Sequence, residues 1–332
     1  MLEQYLSGFE RYLKVLEGLS SATAKAYVSK VAEFEAWLLN KEQFCGELTG
    51  LQREHIERYL EWCFYSLSNS NQTRHTKLTA LRKFNRYLRY EKVPIDDFTQ
   101  DIPRPKIPKP LMQAFLKEET LRMFAQCEIT AEKGIRDICI LICAAFAGLR
   151  ISEIYSLTIT DVLDDGKDID LNILDTKHDR NRVVYLWKAP AMFIRQYLLI
   201  RIGQGAKGRA PLFISYKRGG KAKGNRLTAV AIDNLIKELA EKAGVQRHTI
   251  KNHMFRAMHA NDLQSVKGYT MPAIMERLGW ADLQTAGQYL VRRERIHRMY
   301  NSLHEFWIDF PKIWTKGAAN NADDGGGNDA KE

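Results

Sequence analysis

Residues 138–153 read Ile-Cys-Ile-Leu-Ile-Cys-Ala-Ala-Phe-Ala-Gly-Leu-Arg-Ile-Ser-Glu. Ile138 to Phe146 is an apolar helical segment, and Gly148 stands at its end, where a residue without Cβ lets the chain turn. Arg150 projects from that turn. Ser152 sits where a hydroxyl caps a following helix, with Glu153 beside it and Leu157 and Asp161 further on. An apolar helix that stops at a glycine and presents an arginine makes this a chemistry-bearing segment of a mostly helical domain.

Two more segments downstream carry matching chemistry. His253-Met254-Phe255-Arg256 places an imidazole and a guanidinium three apart on a predicted helix, hence on one face. Leu278-Gly279-Trp280 is followed by Thr285 and Tyr289. Arginine suits a phosphodiester whose non-bridging oxygens gain charge, because its planar fork donates two parallel hydrogen bonds and keeps its proton. Histidine titrates near neutrality and so moves protons. A tyrosine hydroxyl is a nucleophile once positive neighbours or a base activate it.

The remainder of the chain reads as mostly α. In residues 1–101 apolar positions recur at helical spacing in four segments, near 2–16, 20–39, 52–67 and 71–90. The last interleaves Leu78, Leu81, Phe84 and Leu88 with Arg74, Lys77, Arg82, Lys83 and Arg86, a pattern suited to a helix packed on a core and facing phosphates. Residues 102–110, Ile-Pro-Arg-Pro-Lys-Ile-Pro-Lys-Pro, form a stiff basic linker in which Arg104 and Lys106 run along a phosphate backbone. Residues 111–316 are mixed α/β, with helices at 117–128, 132–147, 152–158, 189–203, 228–243, 250–266, 271–279, 282–290 and 293–308. A small antiparallel hairpin is expected from strands at 169–174 and 183–186, and a short strand at 212–214. Tyr216 to Arg226 reads as a mobile basic loop with Lys217 and Arg218 facing phosphates. The tail, 317–332, is too polar to bury a core.

The net charge of +10 and pI near 9.2 suit a polyanionic partner, DNA or RNA ahead of a membrane surface. No apolar run reaches the length of a transmembrane helix, and the N-terminus lacks the basic start and apolar stretch of a signal peptide. The five cysteines are odd in number and lack C-x-x-C spacing, so Cys139 and Cys143 read as packing thiols rather than a metal or redox pair, and a reducing cytoplasm fits.

In this order, the segments at 148–153, 253–256 and 278–289 resemble the tyrosine recombinase (phage integrase) family, in its simpler Xer-like or Cre-like form without an added N-terminal arm-binding module. The resemblance implies a SAM-like core-binding domain and a catalytic domain that close on DNA as a C-shaped clamp. It implies that Arg150 and Arg256 grip the scissile phosphate, Glu153 supports them, His253 handles the tyrosine proton, Trp280 donates its indole N–H, and Tyr289 attacks. Thr176-Lys177 to Arg182-Val183-Val184 resembles the family's hairpin lysine stretch, which makes Lys177 the general acid, with Arg180 and Arg182 as fallbacks and as DNA contacts. The implied reaction needs no metal, ATP or other cofactor. It runs through a 3′-phosphotyrosyl bond and a Holliday junction, on double-stranded DNA held at two specific sites by a tetramer. The stripe Ile296, Met299, Tyr300, Leu303 and Phe306-Trp307 suits docking either on its own core or, as the family's C-terminal helices do, on a neighbouring protomer. The alternatives are a type IB topoisomerase-like monomer and a non-catalytic DNA-binding protein. One departure is plain: Ala257-Met258 stand where the family commonly carries His-Thr, and His259 lies one turn beyond Arg256, read as packing or backbone contact.

Overall fold

A computed structural model describes residues 2–44, 46–107, 113–174, 181–186, 188–216, 222–247, 250–265 and 269–280. The chain divides into two compact units, Met1–Pro110 and Leu111–Glu332.

The first unit is helical: α1 (Glu3–Val15), α2 (Ser21–Asn40), α3 (Arg53–Tyr65) and α4 (Asn71–Tyr90). Serine caps define two starts, with Ser20 accepting from the Thr23 amide and Ser70 from the Thr73 amide, both at 3.2 Å. The apolar stripes meet in a core of Phe9, Phe34, Trp37, Tyr59, Leu81 and Phe84. Phe9 and Phe84 pack edge to face with ring centroids 5.2 Å apart. The chain beyond α4 returns along it, since Arg82 donates to the Ile102 carbonyl and Asn71 to the Lys106 carbonyl at 2.7 Å.

The second unit carries α5 (Lys117–Ala125), α6 (Glu132–Ala145), α7 (Ile151–Ser156), β1 (Val162–Asp164), β2 (Ile169–Ile173), β3 (Arg182–Leu186), α8 (Lys188–Gly203), β4 (Ile214–Tyr216), β5 (Ala222–Arg226), α9 (Ala229–Lys242), α10 (His253–Ser265) and α11 (Met271–Leu278). Helix α6 is buried along nearly its whole length, at the centre of the larger core. Strands β1, β2 and β3 form an antiparallel sheet in that order, with Leu171 opposite Val184. Ile169, Leu171 and Ile173 alternate inward, as the period of two requires. No helix among the described residues is long and apolar enough to cross a membrane.

Three expectations need correction. The basic loop expected at Tyr216 to Arg226 contains β5, which pairs antiparallel with β4, and the short strand expected at 212–214 begins only at Ile214. Backbone pairing overrides a composition of Lys, Gly and Asn that has low strand propensity. Strand β1, which adds an edge to the hairpin, had no clear alternating signal. Ser152 does not cap α7: the helix starts at Ile151, and Glu153 reaches back to the Arg150 amide at 2.7 Å instead. Cys139 and Cys143 pack inside the core, where burial pushes the Cys143 thiol up to about 12.

Candidate active site

The C-terminal end of α11 organises the site. Thr270 caps its start, accepting from the Ala273 amide at 3.5 Å, and Gly279 ends it in the left-handed conformation at φ 61°. A helix end of this kind leaves carbonyls without intrahelical donors and carries partial negative charge. Three consecutive carbonyls here each accept from an arginine of another element. The Arg277 carbonyl accepts from Arg182 Nε at 2.9 Å, the Leu278 carbonyl from Arg256 Nη2, and the Gly279 carbonyl from Arg150 Nη2 at 3.2 Å.

Each arginine has a second anchor. Arg256, fully buried on α10, donates from Nη1 to the Gly148 carbonyl at 2.6 Å, and its guanidinium lies 5.8 Å from the centre of the Trp280 ring. Arg150 pairs with Glu153 at 2.8 Å and keeps 30% of its side chain exposed. Arg182 forms a two-point pair with the same carboxylate, 2.9 Å to each oxygen. Burial alone would raise the Glu153 carboxyl, but the hydrogen bonds and charge of Arg182, then of Arg150, hold it below the usual carboxylate range.

His253 opens α10 on an exposed edge, one turn before Arg256. Partial burial of its ring, then the charges of Arg256, Arg150 and Lys251, hold its pKa below the ordinary imidazole value. The neutral form, which accepts a proton, is therefore favoured at neutral pH. Asn252 just before it donates to the Leu149 carbonyl at 3.1 Å and so ties α10 to the Gly148 turn.

Arg150, Glu153, His253, Arg256 and Trp280 are thus brought together from three separate parts of the sequence. Lys177, Arg180, Lys217, Arg218 and Tyr289 lie outside the described residues, as do the helices expected at 282–290 and 293–308 and the tail. Two expected DNA contacts take a different role. Arg182 is buried in its pair with Glu153, and Lys77 is buried at 2% exposure, bonded to Glu33 and, at 3.3 Å, to Cys63. Both are paired to carboxylates, whereas Arg150 keeps an exposed face. On the helix of Lys77, Lys83 pairs with Glu17 and Arg86 is exposed, as are Arg104 and Lys106 in the segment beyond it.

Sequence reasoning missed the shared Glu153–Arg182 pair, Asn252 and Arg277. It also missed Lys237 and Lys251, which line an open cleft of about 540 Å3 beside His253. Only Lys251, two residues before His253, offered a local signal.

An arginine cluster built on one helix end, with an imidazole at its edge, makes a positively charged candidate site for an anion. Comparison with known proteins then gives the lineage. Residues 113–295 match the model of the phage integrase family, and residues 6–92 match that of the phage integrase N-terminal SAM-like domain. The chain belongs to the phage integrase family, the tyrosine recombinases, and is a site-specific DNA cleaving and rejoining enzyme. It is 28% identical over 311 residues to tyrosine recombinase XerC of Bacillus subtilis, covering 91% of this chain and 97% of the relative. It is 24% identical to tyrosine recombinase XerD of Staphylococcus haemolyticus, covering 92% and 98%. In fold it is similar to the XerH site-specific recombinase bound to palindromic difH substrate, with TM-score 0.65, 20% identity and coverage of 86% and 80%. The lambda integrase dimer bound to a core site gives TM-score 0.67, 14% identity and coverage of 88% and 96%.

Proposed function

We propose that this recombinase cuts each strand by attack of the Tyr289 hydroxyl on the scissile phosphate, giving a 3′-phosphotyrosyl bond and a free 5′-hydroxyl. The observation that carries this reading is the convergence of Arg150 and Arg256 on adjacent carbonyls of α11, with His253 one turn away. Arg150 Nη2, which donates to the Gly279 carbonyl, carries a second N–H that suits a phosphate oxygen. Arg150 is accessible. Arg256 is fully covered, so its engagement requires the cover to part as DNA enters. Neutral His253 takes the tyrosine proton, Lys177 protonates the leaving 5′ oxygen, and Trp280 donates its indole N–H. The bond energy is held in the covalent intermediate, so a 5′-hydroxyl from a partner duplex reseals the strand without a nucleotide or metal.

The same reading extends to assembly. Each unit contributes to binding double-stranded DNA, four protomers join two sites through a Holliday junction, and Arg86, Arg104, Lys106, Lys237 and Lys251 contact the backbone. Relatives described as bound to a core site and, for a lambda integrase tetramer, to a Holliday junction support this. The test is trapping on a nicked substrate bearing the chain's own site, with mapping of the adduct peptide. The adduct should map to Tyr289, and Tyr289→Phe should keep specific binding while losing the adduct. An adduct on another residue would reject the assigned nucleophile, and tight binding with no adduct would favour a non-catalytic role.

A further inference from the structure

Helix α11 holds the arginines through its carbonyls, so whatever holds the end of α11 sets where those arginines point. His259 is 1% exposed on α10, and its Nε2 accepts from Arg277 Nε at 3.2 Å. Arg277 Nη2 reaches the Phe146 carbonyl at the end of α6 at 3.3 Å and the Tyr185 carbonyl on β3 at 3.2 Å. One side chain therefore joins α6, β3, α10 and α11, while its own carbonyl accepts from Arg182. The Gly148 turn that carries Arg150 rests directly on His259 and on Leu278, the neighbour of Arg277. A Cβ added at Gly148 would come within 2.8 Å of His259 Cδ2 and of Leu278 Cδ2.

We infer that His259 and Arg277 form a positioning pair that fixes the end of α11 and, through it, the phosphate-facing geometry of Arg150 and Arg256. The inference rests on the recombinase reading of the arginines. Neither residue touches the phosphate. The pair requires His259 as an uncharged acceptor. Burial of the ring, then the charges of Arg277 on α11 and Arg256 on its own helix, favour that form, and Arg182 from β3 and Tyr269 act on Arg277 itself. A buried polar contact of this geometry differs from simple filling of space, because its direction matters: the acceptor must face Nε for the two Nη2 bonds to form.

The test is single-turnover cleavage of a nicked substrate, with DNA affinity and thermal stability measured on each variant. His259→Leu should slow cleavage about tenfold or more, with affinity changed less than about threefold. His259→Gln, whose amide oxygen accepts from Arg277, should recover cleavage to within about threefold of wild type. Arg277→Met should match His259→Leu, Arg277→Lys should be faster than Arg277→Met, and the double variant His259→Leu/Arg277→Met should be no slower than either single. Equal rates for Leu and Gln at 259 overturn the inference, as do losses that multiply in the double variant. If His259→Leu does not fold, the Lys and Met variants at 277 decide by the same comparison, and failure of every variant to fold overturns it in favour of a purely structural role. Absence of an adduct from wild type rejects the recombinase chemistry itself, a separate outcome.

Discussion

Glu153 serves two arginines at once, Arg150 and Arg182. Its carboxylate is 6% exposed and accepts from Arg182, from the Arg150 side chain and from the Arg150 amide. Glu153→Gln leaves a buried Arg182 without a counter-ion and should lower unfolding free energy by about 3 kcal/mol, read by urea denaturation. The pH dependence has a definite sign. A carboxyl whose folded pKa lies below the ordinary 4.5 contributes stability that is complete above 4.5 and is lost as pH falls through the folded value. Wild type should therefore lose stability with acid below about 4.5 more steeply than Glu153→Gln. Parallel pH profiles would show that the pair contributes no linkage. Arg182, read from sequence as a phosphate contact, is the other half of this arrangement.

At the scale of elements, two left-handed glycines end two helices beside the arginine cluster. Gly148 (φ 61°) closes the α6 segment and Gly279 (φ 61°) closes α11. Alanine at a left-handed position costs about 1–2 kcal/mol from its own Cβ. At Gly148 the Cβ also meets His259 and Leu278, whereas at Gly166 (φ 88°) nothing lies within 4 Å. Gly148→Ala should destabilise the protein by roughly 2–4 kcal/mol and slow cleavage, against about 1 kcal/mol for Gly166→Ala with cleavage intact. Equal losses at the two positions would remove the argument that the turn is pressed against α10 and α11. The β4–β5 hairpin belongs to this scale as well, since its pairing was invisible in the local composition.

For the whole molecule, the net charge of +10 overstates what faces DNA. Of the cations on α4, Lys77 and Lys83 are paired within the first unit and Arg82 is bonded to a backbone carbonyl, while Arg86 keeps 71% of its side chain exposed. Each phosphate contact steepens the dependence of log affinity on log salt by about one. Arg86→Ala should reduce that slope by about one unit, and Lys77→Met should leave it unchanged while lowering stability by about 1–2 kcal/mol. A reduced slope for Lys77→Met would mean that the buried pair opens on DNA.

What the sequence determined by itself is the part that depends on local pattern. Apolar spacing located α1 to α11 within a few residues, because a helix needs only its own periodicity and caps to be recognised. Gly148-Leu149-Arg150, His253 to Arg256 and Leu278-Gly279-Trp280 were legible because each is a turn or a helix face whose chemistry sits within a few residues. What tertiary structure alone decided is which charges meet. Arg182 and Glu153 lie far apart in sequence, as do His259 and the Gly148 turn, and Lys77 and Glu33. Whether a basic residue faces solvent or a buried carboxylate is set by the packing of distant elements, and no periodicity records it. The row of α11 carbonyls that gathers Arg150, Arg182 and Arg256 belongs to the backbone, so it has no side-chain signature and emerges only when the helix end is folded against the rest.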